Sequence, residues 1–437
     1  MAHEHDSYAH LQQRLDRMPI GAPAHRALFD ILRELYSTEE ASLAASMPFQ
    51  PSGTRTIARR AGISETRAKE LLEAMLPRGL VIDFPRPDGR TAWFLNPAVI
   101  GFFEFTMMRV RDDVDQKRIA TLMWEYLRKD PDHAFVNMLG EGRTYIARPL
   151  VHEDAVSPET FSEILDWERA TEIVATAGTW SEGICHCRHV KKQLGERCDY
   201  PLDHCLSFGM GADYLARAGI ARRIDKGRAL EVLTHAREHD CVQMVDNVKR
   251  RPTFICNCCS CCCEMLDGFR VLGAARHPVT SNHLAVIADA ACNGCGLCAK
   301  KCPVGAIELR PAQRLPGGPK RKAAAHVDER LCLGCGVCRR QCKFDALVMK
   351  RIPTKMHTPE SQMEKMLLQA LERGKLADIL FDDRSRLSHR VLSGVLGTIL
   401  EMPPARQLLA KQQLRSRFVD LLVSGWKRSS AGWTAKL

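Results

Sequence analysis

Apolar positions early in the chain recur at helical spacing. Leu28, Ile31, Leu32 and Leu35 fall on one face and predict a helix over residues 24–46. A second helix is expected at Thr54–Ala61, closed by a turn at Gly62. A third runs from an N-cap at Ser64 to residue 76. The period then changes to two. Val81-Ile82-Asp83-Phe84 and Thr91-Ala92-Trp93-Phe94-Leu95 flank Pro85-Arg86-Pro87-Asp88-Gly89-Arg90, a strand–turn–strand pattern. Residues 111–180 read as helical and carry no recognisable chemistry. Strand-like apolar runs return at 283–288, 306–309, 326–327 and 346–349. Beyond Pro359 the pattern is helical again. There Leu414, Phe418, Leu421, Leu422 and Trp426 keep helical spacing among Arg415, Arg417, Lys427 and Arg428.

The order of elements over residues 1–110 resembles the winged-helix domains of bacterial regulators. At 437 residues the chain is too long for one ordinary core, and 45% hydrophobic residues predict a folded protein. No apolar run reaches membrane-spanning length. Met1-Ala2-His3-Glu4-His5-Asp6 lacks the basic-then-apolar pattern of a secretory leader, so a cytoplasmic protein without a transmembrane segment is expected.

Nineteen cysteines change the picture. In a chain without a leader they are expected to be reduced and to serve metal or redox sites. They are grouped: eight in two matching motifs, six within 256–263, four between 185 and 205, and Cys241 alone. The motifs are Cys292-Asn293-Gly294-Cys295-Gly296-Leu297-Cys298-Ala299-Lys300-Lys301-Cys302-Pro303 and Cys332-Leu333-Gly334-Cys335-Gly336-Val337-Cys338-Arg339-Arg340-Gln341-Cys342-Lys343. Both fit C-x2-C-x2-C-x3-C. Three cysteines on a tight loop can wrap three irons of a cubane, and glycines between them let the backbone approach the sulfurs. Paired zinc ribbons need no third and fourth cysteine at this spacing.

These motifs resemble the two-cluster bacterial ferredoxins. The resemblance implies two [4Fe–4S] clusters, one on Cys292, Cys295, Cys298 and Cys342, the other on Cys332, Cys335, Cys338 and Cys302. In each motif the fourth cysteine serves the other cluster. Lys343 stands where a second proline is usual, and the linker 311–322 is longer than a compact ferredoxin needs.

The central cysteines leave more than one reading open. Cys185, Cys187, Cys198 and Cys205 suit a third [4Fe–4S] cluster, or zinc with help from His186, His189 or His204, or reduced core positions. In the run from Cys256 to Cys263, an extended backbone puts Cys256 and Cys258 on one face and Cys259, Cys261 and Cys263 on the other. Metal is expected there too, with a thiol relay as the alternative. Ile184-Cys185-His186-Cys187 echoes Ile255-Cys256-Asn257-Cys258, so the two pairs could lie on adjacent strands and share one four-thiolate site. The whole layout is similar to multi-cysteine ferredoxin-domain proteins of bacteria and archaea.

The expected fold is α+β and multidomain. It comprises a winged-helix-like head (1–110), a helical connector (111–180), a cysteine-rich metal or cluster domain (181–282), a dicluster ferredoxin domain (283–353) and a basic helical tail (354–437). All iron corners of the implied clusters are filled by thiolates, so single-electron transfer to or from a partner oxidoreductase is expected rather than catalysis. A carrier or oxidoreductase subunit fits better than a stand-alone enzyme. No P-loop, nucleophile elbow or H-E-x-x-H is present, and Gly209-Met210-Gly211 is followed by Tyr214 where a dinucleotide fingerprint needs glycine. The net charge of +11 is uneven: residues 384–437 carry a net +8, suited to an acidic redox partner, whereas residues 1–110 are neutral. The alternative is an iron–sulfur, redox-responsive DNA-binding regulator. Arg55, Arg59 and Arg60 favour it, but the neutral head, with Glu65, Glu70 and Glu73 against Arg67 and Lys69, argues against it.

Overall fold

The structure, a computed structural model, describes residues 2–86, 88–128, 144–196, 198–272, 279–312, 321–353, 356–383, 387–402, 417–418 and 421–424. Helices and several small sheets form two compact units. One comprises residues 1–144, 217–220 and 359–437, the other residues 145–216 and 221–358.

In the first unit, helices Arg26–Leu35 and Thr38–Ser46 replace the single helix expected over 24–46. Leu28, Ile31, Leu32 and Leu35 are buried, as their spacing predicts. The break comes from local hydrogen bonding. The Ser37 hydroxyl accepts from the Glu40 N–H (3.2 Å), and the Glu40 carboxylate accepts from the Ser37 N–H (2.8 Å), so a new helix starts there. Helix Thr54–Ala61 ends at Gly62 in the left-handed region (φ 70°), and Ser64 caps helix Glu65–Met75. Strands β1 (Ser52–Gly53), β2 (Val81–Pro85) and β3 (Thr91–Leu95) pair antiparallel in the order β1–β3–β2.

Helices Gln362–Glu372 and Leu376–Leu380 also belong to this unit, with Met363, Leu367, Leu368 and Leu376 buried. Residues 359–437, most of the segment expected as a tail from 354, are grouped with this unit. Asp382 accepts from both terminal nitrogens of Arg60 (3.1 and 2.9 Å) and from the Phe49 N–H (2.8 Å). Of the tail positions at helical spacing, Phe418, Leu421 and Leu422 are described and helical. Leu414, Arg415, Trp426, Lys427 and Arg428 lie outside the described residues.

The stretch 111–180 is not helical throughout. Helix Gln116–Arg128 is followed, after the unit boundary at 144–145, by strand β4 (Ala147–Pro149) of the second unit. With β5 (Trp180–Gly183), β6 (Cys205–Phe208), β7 (Arg222–Ile224), β8 (Val242–Asp246) and β9 (Phe254–Cys258), it forms a six-stranded sheet. The order is β4–β8–β9–β6–β5–β7, with every neighbouring pair antiparallel. Helices Ala170–Thr176 and Lys226–Glu238 cover it, packing Ile173, Val174, Val232 and Leu233 against Leu206, Phe208, Val245 and Ile255.

Residues 283–351 of this unit form an internal duplication. Strands β10 (His283–Ile287) and β11 (Ile307–Pro311) recur forty residues later as β12 (Ala323–Val327) and β13 (Leu347–Arg351). Pairing crosses between the repeats. β10 runs antiparallel to β13, with His283 opposite Arg351, and β11 to β12, with Ile307 opposite Val327.

Candidate functional site

Each repeat carries a cysteine loop followed by a short helix, Leu297–Lys301 in one and Val337–Arg340 in the other. The loops lie close against the strands. A Cβ on Gly294 would strike the carbonyl oxygen of Ala323, and one on Gly334 the carbonyl oxygen of His283; both glycines have positive φ (78° and 68°). Two cavities result. One is lined by Cys292, Cys295, Cys298 and Cys342 with Ile287, Leu297, Phe344 and Leu347. The other is lined by Cys302, Cys332, Cys335 and Cys338 with Ala285, Val304, Ile307 and Met349. Burial in these apolar surroundings pushes the thiols of Cys298, Cys332, Cys335 and Cys338 above the ordinary range. Four convergent sulfurs, apolar walls and no lining carboxylate fit a [4Fe–4S] cubane.

The cavities differ in access. Cys295, Leu297 and Phe344 are exposed at the first, beside the exposed Lys300, Lys322 and Lys343. At the second, Cys335 and Cys338 are buried.

The central cysteines fall into two groups that cut across the expected sets. Cys185, Cys187, Cys263, Cys258, Cys256 and Cys205 lie together, each interacting with the next. Cys256, beside Cys205 and Cys258, and Cys263, beside Cys187 and Cys258, are held well below the ordinary thiol range, and Cys187, Cys205 and Cys258 are pushed above it. The second group is Cys198, Cys259, Cys261 and Cys262, whose sulfurs all lie within 4.8 Å of one another.

Several expectations need correction. Cys198 does not join Cys185, Cys187 and Cys205, so the local quartet between 185 and 205 is split. The echoed pairs do meet in one group, but not from adjacent strands. β6 lies between β5 and β9, pairing Cys205 with Gly183 on one side and Cys256 on the other, and Cys187 sits in helix His186–Gln193. The extended reading of 256–263 fails after Cys258, where β9 ends, because the chain turns through 260–262 and enters helix Glu264–Leu272. Cys259 and Cys261 therefore part from Cys263. His186 faces Glu264 (3.7 Å), and His204 packs on Tyr200 and His235.

Sequence patterns mark neither Arg188 nor His152, and they give Cys262 no place among the clustered cysteines. Cys262 and Cys263 are indistinguishable from their neighbours by spacing. Arg188, only 2% exposed, sends Nη2 to the Asn257 carbonyl (2.5 Å) and to Cys241 Sγ (3.6 Å), with its guanidinium over the Tyr200 ring (4.0 Å). No carboxylate is among its described partners. His152, fully buried, joins the cysteine regions: its N–H donates to the Cys335 carbonyl (2.9 Å), and its Nε2 bonds the Cys241 carbonyl (2.9 Å). A carbonyl only accepts, so Nε2 carries the hydrogen. Burial pushes this imidazole down to about 4, which keeps it neutral. Asp240 adds contacts from Lys301 (2.6 Å) and Gln341 (2.7 Å), each next to a crossing cysteine.

Residues 291–346 match the 4Fe-4S dicluster domain family. No curated protein and no solved structure matches the chain significantly. The chain thus carries a ferredoxin-like iron–sulfur domain inside a larger protein of mixed helix and sheet, together with a separate cysteine cluster. Among the described residues no helix is long and apolar enough to cross a membrane.

Proposed function

We propose that this protein is an iron–sulfur electron carrier or oxidoreductase subunit with two [4Fe–4S] clusters. One is held by Cys292, Cys295, Cys298 and Cys342, the other by Cys332, Cys335, Cys338 and Cys302. The observation that carries the reading is that these foursomes line two separate apolar cavities in a domain of the dicluster family. With every iron corner taken by thiolate, the clusters pass single electrons and bind no substrate. The first cavity, with exposed Cys295, Leu297 and Phe344 among lysines, is the port for a redox partner with an acidic docking surface. The second faces inward, through His152, to the central cysteines. There the group of six thiols exceeds the four that one tetrahedral ion takes, so it serves a further polynuclear metal centre.

The head's helices and its β1–β3–β2 sheet support a winged helix. It serves protein contacts better than DNA. Arg60 is spent on Asp382 and Asp383, and Arg67 on Glu39 and Glu70, leaving few free cations for phosphates.

The test is iron and acid-labile sulfide per chain on anaerobically purified protein, with low-temperature EPR after dithionite reduction. At least about eight irons and eight sulfides, with the paired signals of two interacting cubanes, are expected. Replacing Cys295 or Cys335 by alanine should each remove one signal. Bound zinc without iron in the wild-type chain would overturn the reading.

A further inference from the structure

We infer that Cys198, Cys259, Cys261 and Cys262 hold one tetrahedral zinc ion, separate from every electron-carrying centre. The separation of the sulfurs decides between a single ion and a cluster. Four thiolates at about 2.3 Å from one central ion stand about 3.8 Å from each other. A cubane carries its four thiolates on iron corners and spreads them much farther apart. Here Cys198 Sγ lies 3.7 Å from Cys259 Sγ, Cys261 Sγ lies 3.6 Å from Cys262 Sγ, and no pair exceeds 4.8 Å. The two measured separations match opposite edges of a tetrahedron around one ion, and the bound on the other four keeps the sulfurs too close together for a cubane.

The charge of the surroundings agrees. A zinc tetrathiolate carries a net charge of −2, and an anion of that size inside a protein needs a cation beside it. Arg188 is such a cation. It is buried, its described partners include no carboxylate, and its Nη2 lies 3.6 Å from the sulfur of Cys241, which packs in one buried cluster with Cys198, Cys259 and Cys262. The backbone setting also fits a closed structural site. The ligands come from an irregular loop at Cys198 and from the turn between β9 and helix Glu264–Leu272, two non-repetitive segments far apart in the chain that the ion would tie together. Cys241 packs in the same cluster of buried residues but is not part of the quartet, which makes it a control.

The experiment uses the full chain, purified anaerobically, with zinc and iron counted together. The wild-type chain is expected to hold one zinc in addition to its iron. Cys198→Ser and Cys262→Ser should lose that zinc while the iron count and the ferredoxin EPR signals stay unchanged. Cys241→Ser should keep it. If the wild-type chain lacks zinc, if the serine variants retain it, or if they lose iron instead, the assignment is wrong. Should the variants not fold, the wild-type chain still decides. A zinc chelator should release one equivalent and open Cys198, Cys259, Cys261 and Cys262 to alkylation, as read peptide by peptide in a mass spectrometer, with iron retained. Alkylation of these four before any zinc leaves would overturn the proposal.

Discussion

Two glycines set how close each cysteine loop lies to its strand. At Gly334 a methyl group would meet both the His283 carbonyl and the Ser281 hydroxyl, in a left-handed conformation that costs an L-residue about 1–2 kcal/mol. Gly334→Ala should therefore push the loop of Cys332 and Cys335 outward. We expect it to lower the iron content by about the four atoms of one cubane, the other cavity keeping its share. Full iron content, read by elemental analysis, would mean that the loop adapts. Gly294→Ala should affect the other cavity in the same way. The same contrast explains what was legible at this scale. Three cysteines of each motif share one short loop, so spacing alone groups them. The central sulfurs are brought together from residues as far apart as Cys198 and Cys259, and the direction in which each points depends on where β9 ends. Spacing carries none of that. Nor does it mark Arg188, whose role comes from burial beside thiols.

Among the elements, the helix pattern of residues 24–46 was legible and its interruption was not. Periodicity identifies the buried face, which stays in phase, whereas the break rests on one hydroxyl and one carboxylate acting on the backbone. The letters Ser37-Thr38-Glu39-Glu40 do contain the capping box, so the signal was present. Ser37→Ala should destabilise the first unit by about 1 kcal/mol, seen as a lower denaturation midpoint by circular dichroism. An unchanged midpoint would assign the break to packing instead. A second pin holds the segment after helix Leu376–Leu380. Burial alone would raise the Asp382 carboxyl, but the bonds from Arg60 and the Phe49 N–H outweigh it and hold it below the usual carboxylate range. A depressed folded value means stabilisation that is complete above about pH 4 and lost as the pH falls through the folded value. Asp382→Asn should thus cost about 2 kcal/mol at pH 7, and its difference from wild type should shrink as the medium is acidified. A difference that does not change with pH would show that the carboxylate charge is not what matters. That contact joins residues 322 positions apart, and no pattern in the sequence announces it.

Across the second unit, the cysteine regions are linked by one neutral imidazole. The ferredoxin repeats were legible because a forty-residue duplication repeats its own spacing. The link was not, because His152 lies in the stretch that reads as featureless helix, next to β4. Its bonds reach a backbone carbonyl at the inward cavity on one side and the carbonyl of Cys241, next to Arg188, on the other. Under the proposed function, the exposed first cavity would meet the partner and the buried second one would pass electrons on toward the central thiols. His152→Ala keeps the main-chain bond to Cys335 and strands the Cys241 carbonyl, a loss of about 1–3 kcal/mol that a folded domain can absorb. Cluster content should be unchanged, and so should the reduction rate of the ferredoxin clusters by an external donor. Onward reduction of the six-thiol centre, followed by rapid-freeze EPR, should slow. Equal onward rates in variant and wild type would remove His152 from the route. If the six-thiol centre takes no electron even in the wild-type chain, the inward half of the route is wrong, and the two cavities serve only an external partner.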